Sequence, residues 1–355
     1  MKISAIPARA LAPEHVAAWG SLQRADRVVD SPFFRPEFTQ AVARELDNVE
    51  VGVIEDGGSW VGFFPYYRSS DNVGRPLPLS EFQGLILTAG VTLDAHELIR
   101  HCRLSAWHFD QVIAAQGVFQ PFHWVADASP YIDTSNGFDA YRVQRCRGGS
   151  ETLPKTLRKL RKLEREVGEV RFEMATQDPR VLQTLIAWKT GQYQRAGLFN
   201  MFSRDWTNRL FTSLLDKTDT AFRGNLSALY VNDELQAAIY SLRSHHVLHT
   251  WVSAYGPKLA KYSPGYQLLV KVIQASHDLG IERIDLSKGQ HERYKQNFKS
   301  GAIRLTAGSV DSRASRFVRY AWRRVHYRVR QSPLRDVLTV PWRWIQRAVR
   351  QAQFP

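Results

Sequence analysis

Apolar residues recur along this chain with two different periods, and the points where the period changes divide it into elements. Pro13 to Arg24 and Pro36 to Leu46 space their apolar side chains as short amphipathic helices. Each has a proline in its first turn, where the missing N–H costs nothing. Val49 to Glu55 and Trp60 to Tyr67 are instead rich in Val, Ile, Phe and Tyr. Asp56-Gly57-Gly58 between them supplies the residues of a tight hairpin turn. Asp94 to Leu104 reads as a helix and Ala106 to Ala114 alternates as a strand. Gly148-Gly149-Ser150 then breaks the pattern, and Leu153 to Val167 follows as a helix with Leu157, Leu160 and Leu163 set among Lys and Arg.

Past that break the order is strand Arg171 to Thr176, then helices Pro179 to Arg195 and Arg204 to Leu215. Leu226 to Val231 and Leu235 to Leu242 form a second hairpin around Asn232-Asp233-Glu234, and Val247 to Tyr255 adds a third strand. Pro264 to Leu279 is a helix, Ile281 to Leu286 a strand, Glu292 to Lys299 a short helix and Ala302 to Val310 a last strand. The pieces starting at Val51 and at Leu229 share a design of strand, acidic turn and strand preceded by two helices. Either any two hairpins look alike, or the chain carries a duplicated α/β domain. The changes of pattern divide it into 1–150, 151–310 and 311–355.

Composition narrows the class. With 355 residues, 44% hydrophobic and 23% charged, the chain has material for two cores. Its longest uncharged stretch, Gln111 to Ala126, contains Gln, His and Pro, so no span of the roughly 20 apolar residues that cross a bilayer is present. Cys102 and Cys146 cannot make a disulfide framework or a zinc cage, and Met1 to Pro13 lacks a secretory apolar block; the cytoplasm is the expected compartment. The net charge of +14 is local. Lys155 to Arg165 carries six basic residues and one Glu, Asp311 to Pro355 carries eleven Arg and two Asp, and the remainder is neutral.

The most informative stretch is Trp251 to Leu269. A strand ends near Tyr255, a loop with Lys258 and Lys261 follows, and Ser263-Pro264-Gly265 opens a long helix. Ser suits the N-cap, Pro the first turn, and Gly admits a ligand close to the backbone. Free N–H groups at such a helix start suit a pyrophosphate, though the same residues also serve as ordinary capping.

The order of a hairpin, a third strand, a glycine-opened helix, a further strand and a short helix with Tyr294 resembles the GNAT acyltransferases. Ala254-Tyr255, Ser263-Pro264-Gly265, Gly280 to Leu286, Gly289 and Tyr294-Lys295 resemble more closely the GNAT branch associated with cellulose and exopolysaccharide biosynthesis, which is related to the Fem peptidyltransferases. The resemblance covers Leu153 to Val310. Before that it rests on Ser31-Pro32-Phe33-Phe34 and Ser80-Glu81-Phe82, where the branch has Asp and Tyr in place of Glu81 and Phe82, so that it assigns Glu81 no role.

The resemblance implies an α/β (α+β) chain of tandem GNAT-like domains, each a mixed, mostly antiparallel sheet flanked by helices. It implies transfer from acetyl-CoA or another acyl-CoA, without metal, to an amine or hydroxyl of a small-molecule, glycan-linked or lipid-linked acceptor. A backbone N–H near Ser253 to Tyr255 would face the developing oxyanion. Ser263, Gly265, Tyr266, Tyr255 and Lys295 are the donor-site candidates. Tyr294 is the candidate acid, and Asp285 and His291 are candidate proton acceptors.

Each has a plainer alternative: Asp285 as a turn cap, His291 and Lys288 as solvent-facing side chains, Tyr294 and Trp251 as packed aromatics. His245 and His249 would share one strand face with His246 opposite, which does not make a metal set. The basic helix is either a solvated face or a patch near the cleft that attracts anions. The arginine-rich tail, interleaved with Trp, Tyr and Phe, suits peripheral contact with an anionic membrane, nucleic acid less, or packing against the domains. A Fem-like aminoacyl-tRNA-dependent transferase and a non-catalytic membrane-binding or nucleic-acid-binding module are the competing functions.

Overall fold

The computed structural model describes residues 1–216, 221–289 and 292–311, so the expected tail after Asp311 lies outside the described residues. The first half runs through β1 (Lys2–Pro7), α1 (Pro13–Ala25), α2 (Pro36–Glu45), β2 (Val49–Asp56), β3 (Ser59–Arg68), β4 (Val73–Arg75), β5 (Ile86–Leu87), α3 (Ala95–His101), β6 (Ala106–Ile113) and β7 (His123–Asp133). Two helices, α4 (Gly137–Arg147) and α5 (Thr152–Glu166), lead onward. The second half runs through β8 (Val170–Glu173), α6 (Pro179–Arg195), α7 (Asp205–Leu215), β9 (Phe222–Val231), β10 (Glu234–Ser244), β11 (Val247–Tyr255), α8 (Pro264–Ser276), β12 (Arg283–Asp285), α9 (Arg293–Phe298) and β13 (Gly301–Asp311).

The expected helices and hairpins are present. β1, β4, β5, β7 and α4 are additional to the expectations, and β12 is three residues rather than the six of Ile281 to Leu286. His245 does not share a strand face with His249: it sits in the turn between β10 and β11 with φ of 42°. No helix among the described residues is long and apolar enough to cross a membrane.

All the strands join one sheet in the order β1-β2-β3-β4-β6-β13-β7-β12-β11-β10-β9-β8, with β5 off this path against β3. From either edge the pairing is antiparallel three times, then parallel once, then antiparallel to the centre. Each half therefore repeats one design of strand, two helices, hairpin, third strand, helix and parallel fourth strand. The last strands are exchanged. β7 of the first half pairs with β12 of the second, and β13 of the second pairs with β6 of the first.

The exchange ties the halves together through backbone ladders, and a shared core does the same through side chains. One apolar cluster joins Trp19, Phe33, Phe38 and Phe63 to Leu182, Phe211, Tyr240 and Val252. Trp251 stacks on Phe211 at 4.4 Å and meets Phe33 edge-on at 5.5 Å. Burial of apolar area at about 25 cal/mol per Å² makes such a continuous core the main adhesive between the halves.

Candidate active site

β11 and β12 run parallel for three residue pairs only, ending at His249 opposite Asp285. Beyond that point β11 continues to Tyr255 beside β10 alone, while the chain after β12 turns away through Ser287, whose φ is +63°. The two strands thus splay, and α8 starts against the open end. A Cβ built on Gly265 would lie 3.4 Å from the Tyr255 ring, so a larger side chain there would project at the end of β11.

Ser263 holds the position before α8, but in a left-handed conformation and without capping the helix through its side chain. Its hydroxyl accepts instead from Lys159 Nζ at 2.9 Å, which brings the basic helix α5 to the start of α8. Lys258 pairs with Glu234, and Lys261 lies over the Tyr262 ring. Tyr255 is exposed, and the Tyr266 ring lies 6.3 Å from that of Tyr294. Burial, with the nearby charges of Glu292 and Glu81, pushes the Tyr294 hydroxyl well above the ordinary phenol value. Lys295 is buried; its ammonium donates to Lys288 O at 2.6 Å and pairs with Glu292, tying down the loop after β12. His291 lies outside the described residues.

Asp285 is fully buried, its carboxylate held between Arg283 and His249 rather than at a turn among the described residues. It accepts from Arg283 Nε at 2.9 Å, and Arg283 also donates to Asp30 Oδ2 at 2.9 Å. On its other side Asp285 faces His249 Nδ1 at 3.5 Å, a charge contact longer than a good hydrogen bond. His249 Nε2 meets Glu81 Oε2 at 2.8 Å. A chain of charged groups therefore runs from Asp30 through Arg283, Asp285 and His249 to Glu81, starting and ending in the first half.

Burial raises the Asp30 carboxyl above its ordinary range despite Arg283. Burial also opposes ionisation of Asp285, but Arg283 and His249 outweigh it and hold that carboxyl low. For His249, burial disfavours the charge, yet the two carboxylates beside it carry its pKa above the ordinary value.

Two first-half segments supply the walls. Phe33 and Phe82 meet the His249 ring edge-on at 4.8 and 5.0 Å. Thus Ser31-Pro32-Phe33-Phe34 and Ser80-Glu81-Phe82 converge on one buried histidine of the second half. Glu81 opens into a cavity of about 750 Å³ lined also by Tyr193, Trp251, Arg75, Asp110 and Gln111. Trp251 is both core and cavity wall, its Nε1 donating to Leu79 O at 3.1 Å.

Lys189 and Tyr193 were not singled out from sequence; Glu81 was noted without a role, and His249 only within a histidine group that does not make a metal set. Lys189 donates to Ser253 O at 3.3 Å at the free end of β11, and burial lowers its pKa. Burial and the Glu81 charge push Tyr193 up to about 12. No local motif marks His249, Lys189 or Tyr193. They are joined by contacts such as that of Glu81 with His249, 168 residues apart.

Residues 152–296 match the family model described as Acetyltransferase (GNAT) domain. Among solved structures, FemX is 10% identical, covering 87% of this chain and 96% of its own, with a TM-score of 0.56. L-PGS from Bacillus licheniformis is 10% identical, covering 90% and 96%, with a TM-score of 0.53. The C-terminal domain of a candidate lysylphosphatidylglycerol synthetase from Agrobacterium fabrum is 12% identical, covering 89% and 96%, at 0.53. At such identities the likeness is one of fold. No curated protein matches the sequence. The match over residues 152–296 to a GNAT acetyltransferase domain supports an acyltransferase, in a chain whose two halves repeat one mixed α/β design.

Proposed function

We propose that the protein transfers an acyl group, acetyl foremost, directly from acyl-CoA to an amine or hydroxyl of a small-molecule, glycan-linked or lipid-linked acceptor. In this reading 151–310 is the donor side and 1–150 the acceptor side. The observation that carries it is the splay of β11 from β12, with the glycine-opened start of α8 against the free end of β11. A pantetheine arm laid in that opening would bring its thioester to Ser253–Tyr255, and its pyrophosphate to Gly265, Tyr266 and the Ser263–Lys159 pair. Lys295 would serve the donor indirectly, through the loop it ties down.

Tyr294 would protonate the departing thiolate, and His291 is the proposed proton acceptor. Asp285, enclosed by Arg283 and His249, would act on a proton only through His249 and Glu81. The basic helix supplies anion contacts through Lys159. Membership of the exopolysaccharide-associated branch, a cytoplasmic location and peripheral membrane contact through 311–355 belong to the same proposal.

A thermal-shift screen against CoA, acetyl-CoA and longer acyl-CoAs, repeated with Gly265→Trp, tests it. The substitution faces the open end of β11 and needs no unusual backbone conformation. Stabilisation of the wild type by acyl-CoA, lost in the variant, is expected. Equal stabilisation of both proteins overturns the pyrophosphate site. The likeness in fold to FemX favours a second reading with an aminoacyl-tRNA donor, which a dependence of product formation on charged tRNA would distinguish.

A further inference from the structure

α4 and α5 pack one beside the other against the second half. On α4 the Tyr141 hydroxyl donates to Phe298 O at 2.7 Å, and Arg145 donates to Lys299 O at 2.7 Å and to Asn297 O at 3.0 Å. On α5 Leu153, Leu160 and Leu163 are buried. The inner faces of both helices are thus committed to the core. Gly148-Gly149-Ser150, with Gly149 at φ of +74°, turns the chain from one helix into the other.

The outer faces leave a groove of about 440 Å³ between them. Its apolar lining is Val143 and Cys146 of α4 with Pro154 and Leu157 of α5, and Val143 is 43% exposed. Its charged lining is Arg142, Arg158 and Arg161, all exposed. Pro154, Arg158 and Arg161 fall in one row of α5, whereas Lys159 lies on the next row and reaches Ser263.

Residues 137–166 carry nine basic and four acidic side chains. Arg142 pairs with Asp139 at 3.0 Å, but Arg158 and Arg161 form no ion pair among the described residues. The Glu151 carboxylate near Arg158 is taken by Lys155, and Glu166 by Lys162 and Arg165. No acidic or aromatic side chain is among the described residues that line the groove. Cations set beside apolar surface are the two features of a site at a membrane interface. Nucleic acid would meet the charge but no ring on which a base could stack.

We propose that the α4–α5 groove docks the protein on an anionic phospholipid surface, with Arg142, Arg158 and Arg161 on headgroup phosphates and Val143, Pro154 and Leu157 on the first carbons of the acyl chains. This contact is separate from the one proposed for 311–355 and does not rest on the acyl-CoA reading. Because α5 also carries Lys159 to the start of α8, a surface bound in the groove lies one helix face away from the proposed donor site.

Cosedimentation of the full chain at low salt, with vesicles of phosphatidylcholine alone and of phosphatidylcholine mixed with phosphatidylglycerol, tests the proposal. Binding to the anionic vesicles only, weakening as salt rises, is expected. A triple variant, Arg142→Gln with Arg158→Gln and Arg161→Gln, should lose about fivefold in vesicle affinity for each arginine removed. All three are exposed, so its Tm should not change. Val143→Asn removes apolar surface and no charge, and should weaken binding as well. Cys146 is exposed in the groove and Cys102 is buried, so an environment-sensitive thiol dye reports on this face. Its emission should shift to the blue on anionic vesicles. Absence of binding to anionic vesicles overturns the proposal. So does a triple variant that binds as the wild type does, or vesicle binding without a dye shift; either would assign the membrane contact to 311–355. Binding of tRNA that the triple variant weakens, with vesicle binding unaffected, would assign the groove to nucleic acid instead.

Discussion

Arg283 is the residue on which the buried charges depend. It serves Asp30 from the first half and Asp285 from the second, and both carboxylates are almost wholly removed from water. Arg283→Met would leave two buried anions without their cation and should cost about 3 to 5 kcal/mol, read as a fall in the urea midpoint.

His249 adds a pH signature. Its pKa is raised in the fold, so its contribution is complete below the ordinary value of 6.5 and fades as pH climbs through the raised value. Asp285 has the opposite sign, because its carboxyl is held low: its contribution is present above 3.8 and is lost as pH falls through the depressed value. The difference in unfolding free energy between wild type and His249→Gln should therefore be flat from about pH 5 to 6.5 and shrink above that. A difference that grows with alkaline pH would contradict the assignment. The same residues show why the site was hard to read in the sequence. Ser31 to Phe34 and Ser80 to Phe82 stood out as short motifs, but what they surround is set by a histidine that has no motif of its own.

Among elements, β13 is the one whose loss would matter beyond its own length, since it lies between β6 and β7 at the centre of the sheet. Its bulge brings Gly308 so close that an added Cβ would lie 2.1 Å from the Phe122 carbonyl and 2.4 Å from the Phe109 ring. A backbone atom cannot step aside as a side-chain tip can. Gly308→Ala should cost about 3 kcal/mol by urea denaturation. Gly117→Ala, with nothing within 4 Å of the new atom, should stay within about 0.5 kcal/mol.

The helices and the two long hairpins were legible because amphipathic spacing and the Gly57-Gly58 and Asn232-Asp233 turns are local signals. β7 was not. His123 to Asp133 contains Asp127 and Pro130 and does not alternate, and it is a strand because β12 and β13 pair with it on both sides. That information lies 150 or more residues away.

For the whole molecule, exchange of β7 and β13 means that neither half completes its own sheet. Far-UV circular dichroism and Trp fluorescence should therefore report one shared urea transition, and two separated transitions would show halves that stand alone. The pseudo-symmetry also offers two counterpart helix starts, but they are not equivalent. At α3 the Asp94 carboxylate accepts from Glu97 N at 2.9 Å and occupies the place an anion would take. At α8 the Ser263 side chain leaves the first turn uncapped and lies beside Lys159 instead. On the proposed reading, the pyrophosphate would lie at the start of α8 rather than at that of α3. The most direct measurement is a calorimetric titration of acetyl-CoA into the wild type and Gly265→Trp. One acetyl-CoA per chain, with binding lost in the variant, is the expected result. Two per chain, none, or unchanged binding in the variant would contradict it.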